Sequence, residues 1–403
     1  MITPSYGLTA TERVLPRLAL DFTTASLDSR ITFTRSGNTA TVTNSSGLIA
    51  GVNADLPRFD FDPITKICKG LLIEESRTNI CIRSETFNLW NTTGSVGVTA
   101  NTTVAPDGNQ TADTITRVAG QGDSVLLAQT FTGDGVKAIS VWIKKGTSPS
   151  SLIVLFDSTA SLYRLWADVT WSGNTPVLAF TNGSLLKSTE YDNNWWRLEF
   201  ATTTVTAANT NRIQIFPGRA GSANGDNVIC WGAQAENGAF ATSYIPTVAS
   251  QVTRSADVAT MTGTNFSDWF NATQGTFVTQ AMSPSTFVPA HADNGTAGVS
   301  ISTRSRASGV SGTAASVANI SEQLTATNFT FAATNKVALA FKENDFAWSL
   351  NGATPATDTS GTLPTVDRMR FGSNVTSTFS GHLQKVFFYP QRLTTAEVQA
   401  FSK

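Results

Sequence analysis

The stretch AISVWIKKG, residues 138–146, decides the reading of this chain. Ile139, Val141 and Ile143 alternate with Ser140, Trp142 and Lys144, a period of two that sends one set of side chains to each face of a strand. The polar members make it a half-buried strand. The same pattern continues outward through SLIVLFDS (151–158), YRLWADVTW (163–171), PVLAFTN (176–182), WWRLEFATTTV (195–205), NRIQIFPG (211–218) and NVICWGAQAE (227–236). Before it stand SVGVTAN (95–101), TADTITRVA (111–119) and SVLLAQTFT (124–132). Strands this dense, with turns and no helical period between them, predict an antiparallel β-sandwich over residues 86–247. Tyr244-Ile245-Pro246-Thr247 closes it, because proline has no amide hydrogen to continue a ladder.

On the N-terminal side, LALDF, RITFTR, TATVT, RFDF and GLLIEE are short strand candidates broken by Ser-Gly-Asn, Asn-Ser-Ser-Gly and Asp-Pro turns. They predict a small β module over residues 1–85. Residues 248–403 carry a second sandwich. Its clearest piece is KVALAFKENDFAWSLNGAT (336–354), in which Val337, Leu339 and Phe341 face one way and Asn344 turns the chain. Phe346, Trp348 and Leu350 then face one way again, and Asn351-Gly352 is a type I′ turn signal. The helix expected is the terminal LTTAEVQAFSK, with Thr394 as N-cap, Glu397 completing a capping box and Leu393 stapling to Val398.

Charged residues are 14% of the 403, against an ordinary share of roughly 25%, and the net charge is −1. No Lys/Arg cluster is present to neutralise a phosphate backbone, so nucleic acid is not an expected partner. The longest apolar runs, such as Leu152–Phe156, are far below the ~20 residues of a membrane-spanning helix, and MITPSYGLTATER has no secretion-signal layout. Neither membrane insertion nor a Sec-type address is expected. The histidines are two, His291 and His382, leaving almost no material for a histidine triad or a histidine-rich metal site. Cys68, Cys81 and Cys230 are too few for a disulfide framework and read as core thiols, although Cys68 and Cys81 flank one segment that a bridge could close in an assembled particle.

RFDFDPITKICKGLLIEESRTNICIRSETF (58–87) resembles a segment of tail and head-fibre proteins of tailed bacteriophages. The matching positions are Arg58, Phe59, Asp60, Asp62, Pro63, Gly70, Leu71, Leu72, Ile73, Glu74, Arg77, Thr78, Asn79, Arg83, Ser84 and Phe87. APDGNQTADTIT, QTFT, SVWIKKG and WGAQAENGAFATSYIPT look like the carbohydrate-binding jelly roll that follows it there, and the C-terminal third is similar to a concanavalin A-like, laminin-G-like sandwich. The resemblance implies a virion protein, assembled in the host cytoplasm, that contacts other virion proteins and itself. A homo-oligomer, a trimer, is expected, with a host-surface glycan as its ligand. A cement or decoration protein and a glycan depolymerase are the alternatives.

For sugar binding, Asp192, Asn193, Asn194 and Trp195 form the preferred candidate, an exposed indole beside groups able to take hydroxyls. Both Trp195 and Trp196 buried is the competing reading, and Trp142, Trp166 and Trp171 rank lower because no Asp/Asn pair precedes them. Asp107-Gly108-Asn109 and Asn224-Gly225-Asp226-Asn227 are explained by turn formation, so no metal or cofactor is expected. Asp157, Asp168, Glu190, Asp192 and Glu199 are the carboxylates available to a depolymerase. No catalytic residue is assigned, and no enzymatic activity is expected.

Overall fold

A computed structural model describes residues 14–37, 39–93, 96–118, 125–131, 134–206, 209–219, 221–285, 287–305, 311–317, 320–325 and 333–403. MITPSYGLTATER, and Ser95, Ala119, Ser124 and Thr132 at the ends of three strand candidates, lie outside the described residues. The chain is nearly all β, built from antiparallel sheets, as its alternation predicts. It divides into two compact units, Thr34–Asp257 and a discontinuous one of Met1–Phe33 with Val258–Lys403.

The Thr34–Asp257 unit holds a sandwich of two six-stranded sheets. One sheet runs in the order Ser184–Tyr191, Trp195–Ala201, Lys137–Lys145, Asn227–Asn237, Ala112–Arg117 and Val96–Thr103. The other runs Thr175–Asn182, Leu162–Ser172, Ser150–Asp157, Asn211–Phe216, Val125–Phe131 and Asn91–Thr93. Between them lie Ile139, Val141, Ile143, Leu198 and Phe200 from the first sheet, with Ile153, Leu155, Leu165, Ile213 and Ile215 from the second. These are the alternate positions of each strand, so the period-two reading selects the inter-sheet core correctly. Its account of the other face of Lys137–Lys145 needs correcting. Ser140 and Trp142 are buried as well, because a second layer covers them.

That layer comes from the N-terminal third of the unit, where Ala40–Thr43 pairs with Ile49–Val52, Arg58–Phe61 with Cys68–Ile73, and Arg77–Asn79 with Val252–Arg254. Short paired strands bury little surface by themselves. Here Ile49 and Ala105 join Trp142, Tyr191, Trp195, Trp231 and Tyr244 in one apolar cluster. The Thr41 hydroxyl donates to the Tyr244 carbonyl at 2.6 Å. Cys81 and Cys230 lie in the inter-sheet core, and burial pushes the Cys81 thiol up to about 12 and that of Cys230 higher still. None of the three cysteines is in a disulfide.

In the other unit, one sheet is ordered Leu18–Asp21, Gly381–Tyr389, Gln274–Met282, Thr334–Lys342, Asp345–Leu350 and Ala356–Asp358. Phe341 lies opposite Phe346, Leu339 opposite Trp348 and Val337 opposite Leu350, with Asn344 at φ 56° in the turn, the hairpin expected from sequence. Asn351 and Gly352 both have positive φ and close the next turn, with the Ala353 amide on the Leu350 carbonyl at 2.9 Å. The helix Thr395–Phe401 has its full capping box. Leu393 and Val398 pack on the sheet face formed by Val278, Ala338, Ala340 and Ala347, where three alanines make room for a helix. On the opposite face Phe270, Phe277, Phe341 and Phe388 form a ring cluster with centroid separations of 5.0–6.5 Å. A four-residue helix, Thr264–Ser267, is an element that the alternation pattern does not reveal.

Candidate functional site

The loop favoured from sequence is exposed only in part. Asp192, Asn193 and Asn194 are exposed, and Asp192 pairs with Lys66 at 2.6 Å. Asn193 and Asn194 both sit at φ 62°, the left-handed region that asparagine tolerates better than most residues. They are turn formers leading into the strand Trp195–Ala201. Trp195 is 1% exposed, and its indole N–H donates to the Val104 carbonyl at 3.0 Å. The expected sugar-stacking platform is therefore a core side chain. Alternation sends it to the face that the N-terminal strands cover, while Trp196 packs half-buried against the inter-sheet core. Trp142 lies under the same cover, edge-on to Trp231 at 5.2 Å and Tyr244 at 5.3 Å, with the Arg197 guanidinium 4.7 Å from its ring.

Arg58, Glu74, Asn79 and Ser84, four of the residues that carry the fibre-protein resemblance, sit in a buried clamp. Arg58 bridges Glu74 at 2.8 Å and Asp257, Arg254 meets Glu74 at 2.8 Å, and Arg35 meets Asp257 at 3.1 Å. Glu74 also accepts from the Ser243 amide at 2.7 Å and the Ser243 hydroxyl at 2.6 Å. Burial alone would raise the Glu74 carboxyl, but the Arg254 and Arg58 guanidiniums beside it bring it down to about 2. Asn79 uses both ends of its amide, donating to the Ile245 carbonyl at 2.8 Å and accepting from the Cys81 and Ala235 amides at 3.0 Å each. Tyr244 donates to Ser84 at 2.7 Å, and the Thr247 amide donates to the same hydroxyl at 2.8 Å. Glu74, Asn79, Ser84 and Tyr244 take their partners from within this cluster, while the buried Nε atoms of Arg58 and Arg254 have none among the described residues.

An exposed aromatic surface lies elsewhere, on the outer face of the second sheet. Ile153, Leu155, Leu165, Ala167, Ile213 and Ile215 point into the core, so their neighbours Phe156, Trp166, Asp168, Arg212 and Gln214 point outward. A register shift at Leu155/Phe156 places Tyr163 opposite Phe156 and brings it to this face. Tyr163 is 41% exposed, with its ring 5.1 Å from Phe156 and 4.6 Å, edge-on, from Trp166. The Trp166 indole donates to Asp168 at 2.8 Å. Arg219 also holds Asp168, at 3.3 Å, and lies 5.0 Å from the Trp166 ring. Asp168 and Arg219 keep 34% and 25% of their side-chain surface open. Rigid half-exposed rings beside a fixed acceptor and a fixed donor can take the C–H face and the hydroxyls of a sugar.

Sequence reading ranked Trp166 low and missed Phe156, Tyr163 and Arg219. A signal was present in YRLWADVTW, where Trp166 and Asp168 alternate with the core residues Leu165 and Ala167. Phe156 was hidden because LIVLF is apolar on both faces, and Arg219 because it lies 51 residues from Asp168. Trp171 packs against the inter-sheet core. Of the carboxylates considered for catalysis, Asp157 is held by Arg164 at 2.8 Å, Asp168 by Arg219, Asp192 by Lys66, and Glu199 by Arg197 at 3.3 Å. In the Asp/Asn/Gly segments, Asp107 accepts from the Asn109 amide at 3.0 Å and Asp226 from the Ala223 amide at 2.6 Å, which is turn chemistry.

No protein-family profile and no curated protein matches the chain. Among solved structures it is similar to the sialidase CBM40 of Ruminococcus gnavus bound to α2,3-sialyllactose, at 18% identity over 33% of this chain and 84% of that one, with a TM-score of 0.29. It is also similar to domains LG4-5 of the mouse laminin α1 chain, at 11% identity over 70% and 90% of the two chains and a TM-score of 0.24. A third similarity is to Trypanosoma rangeli sialidase, at 10% identity over 72% of this chain and 61% of that one, with a TM-score of 0.27.

Proposed function

We propose that the chain is a non-enzymatic surface protein of a tailed-bacteriophage virion that adheres to host-surface glycan through the outer face around Tyr163 and Trp166. The observation that carries the adhesion reading is the half-exposed ring row beside the Asp168–Arg219 pair. The resemblance of residues 58–87 and 231–247 to fibre proteins supports the virion setting, in which the protein works as a homo-oligomer alongside other virion proteins. Ion pairing of Asp157, Asp168, Asp192 and Glu199 supports a binding role over a depolymerase, whose general acid must stay protonated near neutral pH. Single sugar contacts are weak, so adhesion rests on several copies engaging together.

Trp166→Ala tests this. The variant is expected to keep its fold by far-ultraviolet circular dichroism and to lose about two- to tenfold in binding to host polysaccharide, since a stacked aromatic contributes about 0.5–1.5 kcal/mol. Undiminished binding by a folded variant would move the site off this face.

A further inference from the structure

Arg212 lies on the same outer face, directly across from Phe156 on the adjacent strand. It is half-buried, and among the described residues no carboxylate or hydrogen-bond acceptor pairs with it. This sets it apart from the other arginines nearby, since Arg164 is held by Asp157 and Arg219 by Asp168. A half-buried guanidinium has lost part of its hydration, and with no anion in exchange it gains more from an arriving carboxylate than a fully solvated one does. With Arg219 offset by Asp168, the charge of Arg212 is, among the described residues, the one left uncompensated on the ring row.

From this placement we propose that the face takes an acidic saccharide, with Arg212 recognising its carboxylate while Tyr163 and Trp166 carry the sugar rings. The inference rests on the glycan-adhesion reading and narrows it to a ligand class. Adjacent strands are about 5 Å apart, so Arg212 and Tyr163 are separated by about 10 Å, a span that a short oligosaccharide bridges. The planar fork of arginine suits a carboxylate bidentately, and the rings need no charge on the ligand, so the two contacts divide affinity from charge selectivity.

The experiment titrates the full chain with oligogalacturonate and oligosialate, each beside its carboxyl-reduced, neutral counterpart, by calorimetry at low and high salt. At least one acidic form is expected to bind about tenfold or more tightly than its reduced form, with the preference shrinking in salt. Arg212→Gln is expected to bring that ratio close to one while the near-ultraviolet spectrum stays that of the parent. Equal binding of acidic and reduced forms, or a preference that survives Arg212→Gln, would overturn the acidic-ligand inference and leave glycan adhesion standing. No binding of any form, together with no binding of whole host polysaccharide, would overturn both.

Discussion

Trp166 and Trp195 belong to strands of the same sandwich, and their different fates follow from what lies beyond each sheet. Trp195 points under the N-terminal strands and is enclosed. Trp166 points from the other sheet and keeps a partly open ring. Trp195→Ala is therefore expected to destabilise the protein by about 3–5 kcal/mol in chemical denaturation, the cost of emptying a large core site, and Trp166→Ala by clearly less. Glu74 shows how far the interior depends on charge. Its folded carboxyl sits near 2 against an ordinary value of 4.5, so the unfolded chain binds its proton more readily. The stability it contributes is fully present above about pH 4.5 and is lost as the pH falls towards 2. Glu74→Gln is expected to cost about 3–5 kcal/mol at neutral pH by leaving Arg58 and Arg254 short of a counter-charge, and to flatten the fall in denaturation midpoint between pH 5 and 3 relative to the parent. An unchanged slope over that interval would place the acid-sensitive group elsewhere.

At the scale of the element, the strand Asn227–Asn237 turns on a single backbone conformation, that of Gly232. Its pairing with Lys137–Lys145 slips by one residue between Ser140 and Trp142, and Gly232 in the slipped segment has φ 65°. A Cβ there would stand 2.7 Å and 2.9 Å from two atoms of the Trp142 ring. Gly232→Ala is expected to cost about 2–4 kcal/mol, combining left-handed backbone strain with overpacking. Gly225→Ala, where φ is 88° and the space is open, should show only the smaller backbone part, about 1–2 kcal/mol, and urea midpoints for the two variants separate the contributions. The alternation in AISVWIKKG disclosed the strand and its core face, but it could not disclose the slip, which depends on the partner strand. The terminal helix was readable to its cap because Thr394, Glu397, Leu393 and Val398 act within one turn of each other. Thr264–Ser267 was unreadable because four residues cannot establish a period.

For the whole molecule, the class and the inter-sheet core follow from alternation within single strands, while the grouping of segments depends on pairings far apart in the chain. Leu18–Asp21 pairs with Gly381–Tyr389, which ties the N-terminal strand to the C-terminal unit. The boundary expected near residue 85 falls inside the Thr34–Asp257 unit, where Ser84 and Glu85 bond to Tyr244, and Asn79 to Ile245. Turn signals mark where strands end and carry no information on which layer covers which face. The same limit applies to Trp195, since a tryptophan after Asp and Asn reads as exposed until the covering strands are known. The consequence is testable with two fragments. A fragment of residues 34–257 retains Ile49, Thr41, Asn79, the Glu74 cluster and its partners Arg254 and Asp257, and is expected to unfold in one cooperative urea transition. A fragment of residues 86–247 retains the inter-sheet core apart from Ile80 and Cys81 but uncovers Trp142, Trp195, Trp231 and Tyr244, an aromatic face that water does not tolerate well. It is expected to bind an apolar dye, to associate at rising concentration and to unfold at a lower urea midpoint. If it stays monomeric, leaves the dye dark and matches the longer fragment's midpoint, the N-terminal strands are not what holds those aromatics out of water.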